Sequence, residues 1–212
     1  MISRIGAFFA VVGLLAAAPA SAAVLYDNGP IDGTTDAYNI ATYVTADSFD
    51  LSTPSTVTGV NFGAWTDPSE MITSIDWSIT SLAEAGTIYG SGTASVTSSF
   101  QFTTILPGPV TYDISWDSFT IPSLNLVSGT YWLNLTNAVT TNNGSAYWDQ
   151  NGGPSSAEQD GGSLPSESFQ IIGTANSSPP PTSVPEPGSL ALLLPGLVGL
   201  AGFSTVRKRK VA

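Results

Sequence analysis

Between residues 24 and 173 apolar and polar positions alternate in many short stretches, with the two-residue period of a strand whose faces meet different surroundings. Val60, Phe62 and Ala64 form one such face, Ile75, Trp77 and Ile79 a second, and Tyr131, Leu133 and Leu135 a third. Tyr112, Ile114 and Trp116 repeat the theme. The phase then changes at Asp117-Ser118 so that Phe119 and Ile121 follow, which predicts a β-bulge at that point. Residues 38–44, 47–51, 86–96, 146–149 and 168–172 are less regular candidates, and the total is about nine short strands. Asp67-Pro68, Pro107-Gly108-Pro109, Ser128-Gly129 and Asn142-Asn143-Gly144 supply the restricted or positive φ of the turns between them. No long amphipathic helix interrupts the series, and the helix formers Lys, Arg, Gln and Glu are scarce. The expectation is an all-β, antiparallel, jelly-roll-like β-sandwich, with residues 151–166, rich in Gly, Ser and Pro, as a surface loop.

Two stretches depart from alternation because they are apolar on every side. Near the N-terminus Arg4 precedes the apolar run 5–18 and then Ala20-Ser21-Ala22, the small-x-small pattern of signal peptidase, so cleavage is expected after Ala22 or Ala23. Near the C-terminus Asn176-Ser177-Ser178-Pro179-Pro180-Pro181 reads as a partly stiff spacer, followed by Val184-Pro185-Glu186-Pro187. The apolar run 190–206, about seventeen residues and roughly 26 Å as a helix, is barely long enough to cross a bilayer. Arg207, Lys208, Arg209 and Lys210 then form a stop that stays cytoplasmic, which leaves the intervening residues outside. The chain thus divides into a signal helix (1–23), a sandwich ectodomain (24–173), a Pro/Ser-rich linker (174–183) and a tail with a transmembrane helix (184–212).

The tail resembles the PEP-CTERM sorting signal of Gram-negative bacteria, in which Pro185, Glu186 and Pro187 stand before a transmembrane stretch and a basic cluster. The resemblance implies an exosortase that recognises the motif and removes the helix. It also implies transient anchoring in the inner membrane, then release to the cell surface or an exopolysaccharide matrix such as a biofilm. A tail anchor that is never cut is the plain alternative. Tails of this kind are also catalogued as ice-binding protein C-terminal domains, a label that carries no activity. More loosely, Tyr26-Asp27-Asn28-Gly29-Pro30, Thr130-Tyr131-Trp132-Leu133-Asn134-Leu135, Tyr147-Trp148-Asp149 and Ser166-Glu167-Ser168-Phe169 are similar to a recurrent ectodomain of such proteins. That similarity implies one continuous domain from about residue 25 to 173.

Charge narrows the chemistry. Lys, Arg and His are absent between Arg4 and Arg207, so all 16 carboxylates lie in a segment without a side-chain cation. Nucleic acid and anionic lipid surfaces are therefore poor partners of the exported part, and no nucleic-acid role is expected, whereas divalent cations and neutral polymers suit it. Without His or Cys, Ser-His-Asp and Cys-His nucleophilic catalysis and the usual zinc centres are closed, and no disulfide framework is available. A Walker loop is absent as well.

Glycoside hydrolysis survives, because it needs only two suitably spaced carboxyl groups, and Asp76 stands beside Trp77, Asp113 and Asp117 flank Trp116, and Asp149 stands beside Trp148. The competing reading is an acid facing water opposite a buried Trp. Oxygen-rich clusters at Asp27, Asn28 and Asp32, and at Asp149, Asn151 and Asp160, are candidates for Ca²⁺ and equally for ordinary Asx-Gly turns. On alternation, Trp132 and Asn134 stand opposite the buried face of their strand, and with Tyr147 and Trp148 they are candidate carbohydrate contacts. Packing beneath a loop is the other reading. Thr rows at fixed period, as ice binding requires, are missing. The expected function is an exported surface or matrix protein with a non-enzymatic structural or interaction role. A carbohydrate-binding (or ice-binding) module and a carboxylate-only glycosidase are the alternatives.

Overall fold

The computed structural model describes residues 22–107 and 109–176; residues 1–21 of the expected signal helix, most of the linker and the whole sorting tail lie outside the described residues, and Ala23, the last residue assigned to that helix, stands in a strand instead. Thirteen strands and no helix are present among them. In chain order these are Ala23–Asp27 (β1), Ala37–Asn39 (β2), Thr45–Leu51 (β3), Ser55–Thr66 (β4), Ile72–Leu82 (β5), Ala85–Ser95 (β6) and Thr97–Leu106 (β7). Val110–Leu126 (β8), Gly129–Thr140 (β9), Ala146–Asp149 (β10), Ala157–Gln159 (β11), Gly162–Leu164 (β12) and Phe169–Ala175 (β13) follow.

All pairings are antiparallel. One sheet runs β1-β13-β4-β8-β7, with β10 and β2 continuing beside the far half of β4 where β13 leaves off. The other runs β12-β11-β3-β9-β5-β6. The central strand orders β1-β13-β4-β8 and β3-β9-β5-β6 are those of the double Greek key of a jelly roll. Between the sheets lie the residues whose alternation announced them: Val60, Phe62 and Ala64 of β4, Ile75, Trp77 and Ile79 of β5, and Tyr131, Leu133 and Leu135 of β9. Trp148 is packed edge-on to Phe62 and Phe169, with ring centres at 6.5 and 5.5 Å. Each large side chain so buried contributes roughly 1.5–3 kcal/mol, and no disulfide supplements this core.

Four expectations are corrected. The phase change at Asp117-Ser118 is not a bulge, because β8 pairs with β4 without a break from Asp113 to Thr120. Instead the apolar side of β8 switches faces: Ile114 and Trp116 lie on the outer face with Trp65, while Phe119 and Ile121 face the core with Val60. Both faces can be apolar because a loop covers the outer one. The stretch 38–44 is a strand only over β2, after which a turn intervenes. The loop at 151–166 contains the β11–β12 hairpin, whose Asp160-Gly161 turn has φ of 51° and 71° and extends the second sheet beyond β3. Its strands are too short to show a period. Finally, β13 runs past Gly173, pairing Thr174 and Ala175 with Thr56 and Ser55, so the sandwich extends further than its apolar pattern suggested.

Candidate functional site

The structure separates the residues that sequence had grouped. Asn134 is buried, with its amide oxygen accepting from the Glu84 N–H at 2.8 Å and its amide nitrogen donating to Thr80 Oγ1 at 2.9 Å. It holds the β5–β6 turn, and of the pair only Trp132 is partly open to solvent. Trp148 is fully buried and donates its indole N–H to the Ser168 carbonyl at 2.9 Å, so it belongs to the core rather than to a ligand. Tyr147 is half-buried on the outer face, edge-on to Tyr112 at 5.7 Å.

The two oxygen clusters also come apart. Asp27 accepts from the Gly29 N–H and the Gln170 amide, and Asp32 from the hydroxyls of Thr34 and Thr35, bonds that hold its carboxyl below the usual range. Asn28 points the other way, into the protein, with no exposed surface. Asp160 sits at the β11–β12 hairpin tip, whereas Asp149 is buried beside Trp65. Among the described residues no group of three or more carboxylates is arranged to hold a metal ion.

Asp149 instead anchors the loop between β1 and β2. Its Oδ1 accepts from the Trp65 indole N–H at 2.5 Å and the Gly33 N–H at 2.8 Å, and its Oδ2 from the Asp32 N–H at 2.8 Å and Ser168 Oγ at 3.1 Å. Asn151 donates to the carbonyls of Asn28 and Pro30 at 2.8 and 3.2 Å, fixing the same loop from its other side. Two glycines admit the close approach. A Cβ on Gly63 would lie 2.9 Å from Ile31 Cγ1, and one on Gly33, whose φ is +64°, would lie 2.5 Å from the Phe102 ring.

Behind the loop lies an acidic interior that the sequence did not disclose. The Asn28 amide nitrogen is 2.6 Å from Ser155 Oγ, Ser166 Oγ and the Glu167 carbonyl, and 3.3 Å from Asp47 Oδ2, which also accepts from the Glu167 N–H at 2.7 Å. Neither Glu167 carboxyl oxygen has a hydrogen-bond partner, and Asp47 Oδ1 and both oxygens of the core-facing Asp117 also lack one. Burial disfavours the charged forms, pushing Asp47 up to about 7 and Asp117 up to about 6. Glu167 is driven well above the carboxylate range by burial and then by repulsion from Asp47, Asp149 and Asp36. Without a cation nearby, protonation is the available means of neutralisation.

Over the outer face of β8, the anchored loop encloses a cleft of about 570 Å³, within the range of about 300–1,000 Å³ typical of small-ligand pockets. Trp116 of β8 is one wall and Phe102 of β7, 40% exposed, another. Phe102 reaches that face because β7 is irregular between Phe100 and Phe102. The extra residue, Gln101, puts Phe100 on the side of Ser115 and Phe102 on the side of Ile114. Gly29, Pro30 and Ile31 of the loop face them. Gln101, Gln170 and Asp27 complete the lining, with the Gln170 amide donating to Asp27 Oδ2 at 3.0 Å and accepting from Asn61 Nδ2 at 3.1 Å. The sequence marked Trp116 as a strand residue flanked by Asp113 and Asp117, not as a partner of Phe102 and the loop. The usable signal was apolar character on both faces of β8, which requires a cover on each side.

Three of the four stretches that prompted the looser ectodomain resemblance meet here, since Asn28, Asp149 and Glu167 build the loop's anchorage and Trp148 and Phe169 the core beneath it, while 130–135 lies on β9 of the other sheet. No curated protein and no solved structure matches the chain. Residues 183–210 match the PEP-CTERM protein-sorting motif. The sandwich thus ends in a C-terminal tail that carries the PEP-CTERM sorting motif, the address of an exported protein handled by an exosortase.

Proposed function

We propose that this protein is delivered outside the inner membrane, cut from its tail at or near Pro185-Glu186-Pro187, and retained at the cell surface or in an extracellular polymer, where it has a non-enzymatic interaction role. The observation that carries the reading is the sorting motif at residues 183–210 behind a domain free of side-chain cations. Signal peptidase acting near Ala22 or Ala23 and exosortase acting on the tail are the two processing partners. Ca²⁺ serves this acidic surface as a diffuse bridge to acidic polymer rather than as the occupant of a built site.

Two features support a role without catalysis. Asp149, the buried acid beside Trp148, has both oxygens committed to hydrogen bonds, and Asp117 is enclosed in the core. The open cleft is lined by one carboxylate, Asp27, where glycoside hydrolysis needs two. Mass spectrometry of the termini, on protein recovered from matrix and membrane fractions of its native host, tests the processing. A matrix form beginning at Ala23 or Val24 and ending between Val184 and Pro187 is expected. An uncut chain still carrying Arg207 to Lys210 in the membrane would overturn the reading.

A further inference from the structure

We propose that the cleft over β8 is a binding site for a neutral polysaccharide, with Trp116 and Phe102 as stacking surfaces and the Asp27–Gln170 pair as the hydroxyl-reading end. The apolar face of a pyranose ring presents C–H bonds of slight positive charge, which favour the negative face of an aromatic ring. Trp116 and Phe102 offer such faces on two adjacent strands, and among the described residues the Trp116 indole N–H has no hydrogen-bond acceptor. Sugar hydroxyls both donate and accept. Asp27 supplies acceptor lone pairs and Gln170 supplies a donor and an acceptor, held side by side at 3.0 Å, so adjacent hydroxyls can be satisfied together.

The nature of the ligand follows from charge and preorganisation. Sulfated, phosphorylated or uronic-acid polymers would meet Asp27 and no counter-cation, so the site selects uncharged or N-acetylated sugars. The wall is already in place, because Asp149 and Asn151 hold the loop that carries Pro30 and Ile31, and little ordering entropy is lost on binding. The β7 irregularity at Gln101 has a local consequence consistent with this use, in that it turns Phe102 into the cleft instead of away from it. The inference goes beyond the export reading and does not depend on it.

Isothermal titration of the purified domain, residues 23–176, against soluble neutral and acidic polysaccharides tests the site, preceded by thermal unfolding to establish that this fragment folds. Binding to at least one neutral glycan and to no acidic one is expected. Trp116→Ala should weaken it tenfold or more, and Gln170→Glu, which keeps the shape but removes a donor and adds charge beside Asp27, should weaken it by a similar factor. Trp132→Ala on the opposite sheet should leave it unchanged. Equal loss with Trp132→Ala or preference for acidic polymers would each overturn the proposal. Absence of glycan binding by a folded domain would do so too, while leaving the terminal processing result intact.

Discussion

The two outer faces of the sandwich each carry a tryptophan at a strand centre, and they differ in what surrounds it. On β9, Trp132 has Asn134 as its same-face neighbour, and the amide of Asn134 is spent inside the protein on Glu84, Thr80 and Ser78. On β8, Trp116 has a loop folded over the sheet beside it, anchored by Asp149 and Asn151, and a second ring from β7. An exposed aromatic becomes a recognition surface when another element builds a wall next to it. Alternation finds the ring but not the wall.

The comparison rests first on Asp149, and Asp149→Ala should have the largest effect. It strands the Trp65 indole, two backbone N–H groups and the Ser168 hydroxyl, each lost bond costing about 1–3 kcal/mol if left unsatisfied. A net loss on the order of 4 kcal/mol in denaturant unfolding is expected, with faster amide exchange at Asp32 and Gly33. Asn134→Ala on the other sheet should cost about 1–2 kcal/mol and leave those amides protected.

A comparable stability change should follow pH. Folded-state values of Asp47, Asp117 and Glu167 lie above those of the unfolded chain, so the native state binds more protons. The stability they confer is fully present below about pH 4 and is lost as pH rises to about 6 for Asp117 and about 7 for Asp47. At about 1.4 kcal/mol per pH unit for each such group, Asp117 and Asp47 alone lose about 4 kcal/mol between pH 5 and pH 7.5, so Tm should fall by on the order of 10 °C. Glu167→Gln, which keeps shape and removes the charge, should flatten the profile and raise Tm at pH 8. An unchanged profile would mean that Glu167 is not buried as described.

The smallest effect expected is at Gly33. Gly33→Ala places a Cβ at positive φ and against the Phe102 ring, at a cost of about 1–2 kcal/mol. Because Phe102 must move, ligand affinity should fall by more than stability alone explains. Gly152→Ala, where nothing lies within 4 Å, is the matched control and should alter neither.

Strand identity was legible where small or polar residues interleave the apolar ones: Val60-Phe62-Ala64, with Asn61 and Gly63 between, and Ile75-Trp77-Ile79, with Asp76 and Ser78 between, carry a plain two-residue period. It failed where a strand is covered twice, as in β8, where a face switch imitated a bulge, and where a strand truly is irregular, as in β7, whose period is broken at Gln101. The sorting address was fully legible because it is read from consecutive residues. The cleft was not, since its lining comes from β1, β7, β8, β13 and a loop, brought together by a carboxylate more than a hundred residues from the backbone it holds. Burial of Asp47 and Glu167 was equally invisible, because acids are seldom enclosed without a cation and this chain offers none there.

The most direct test of the contrast between the faces is a ¹⁵N–¹H spectrum of the indole N–H groups of Trp65, Trp77, Trp116, Trp132 and Trp148, recorded as a neutral glycan is added. The Trp116 signal should move progressively and saturate, while those of Trp132 and the buried Trp148 stay in place. Movement of the Trp132 signal with Trp116 unaffected would put the recognition surface on the other sheet and contradict the account.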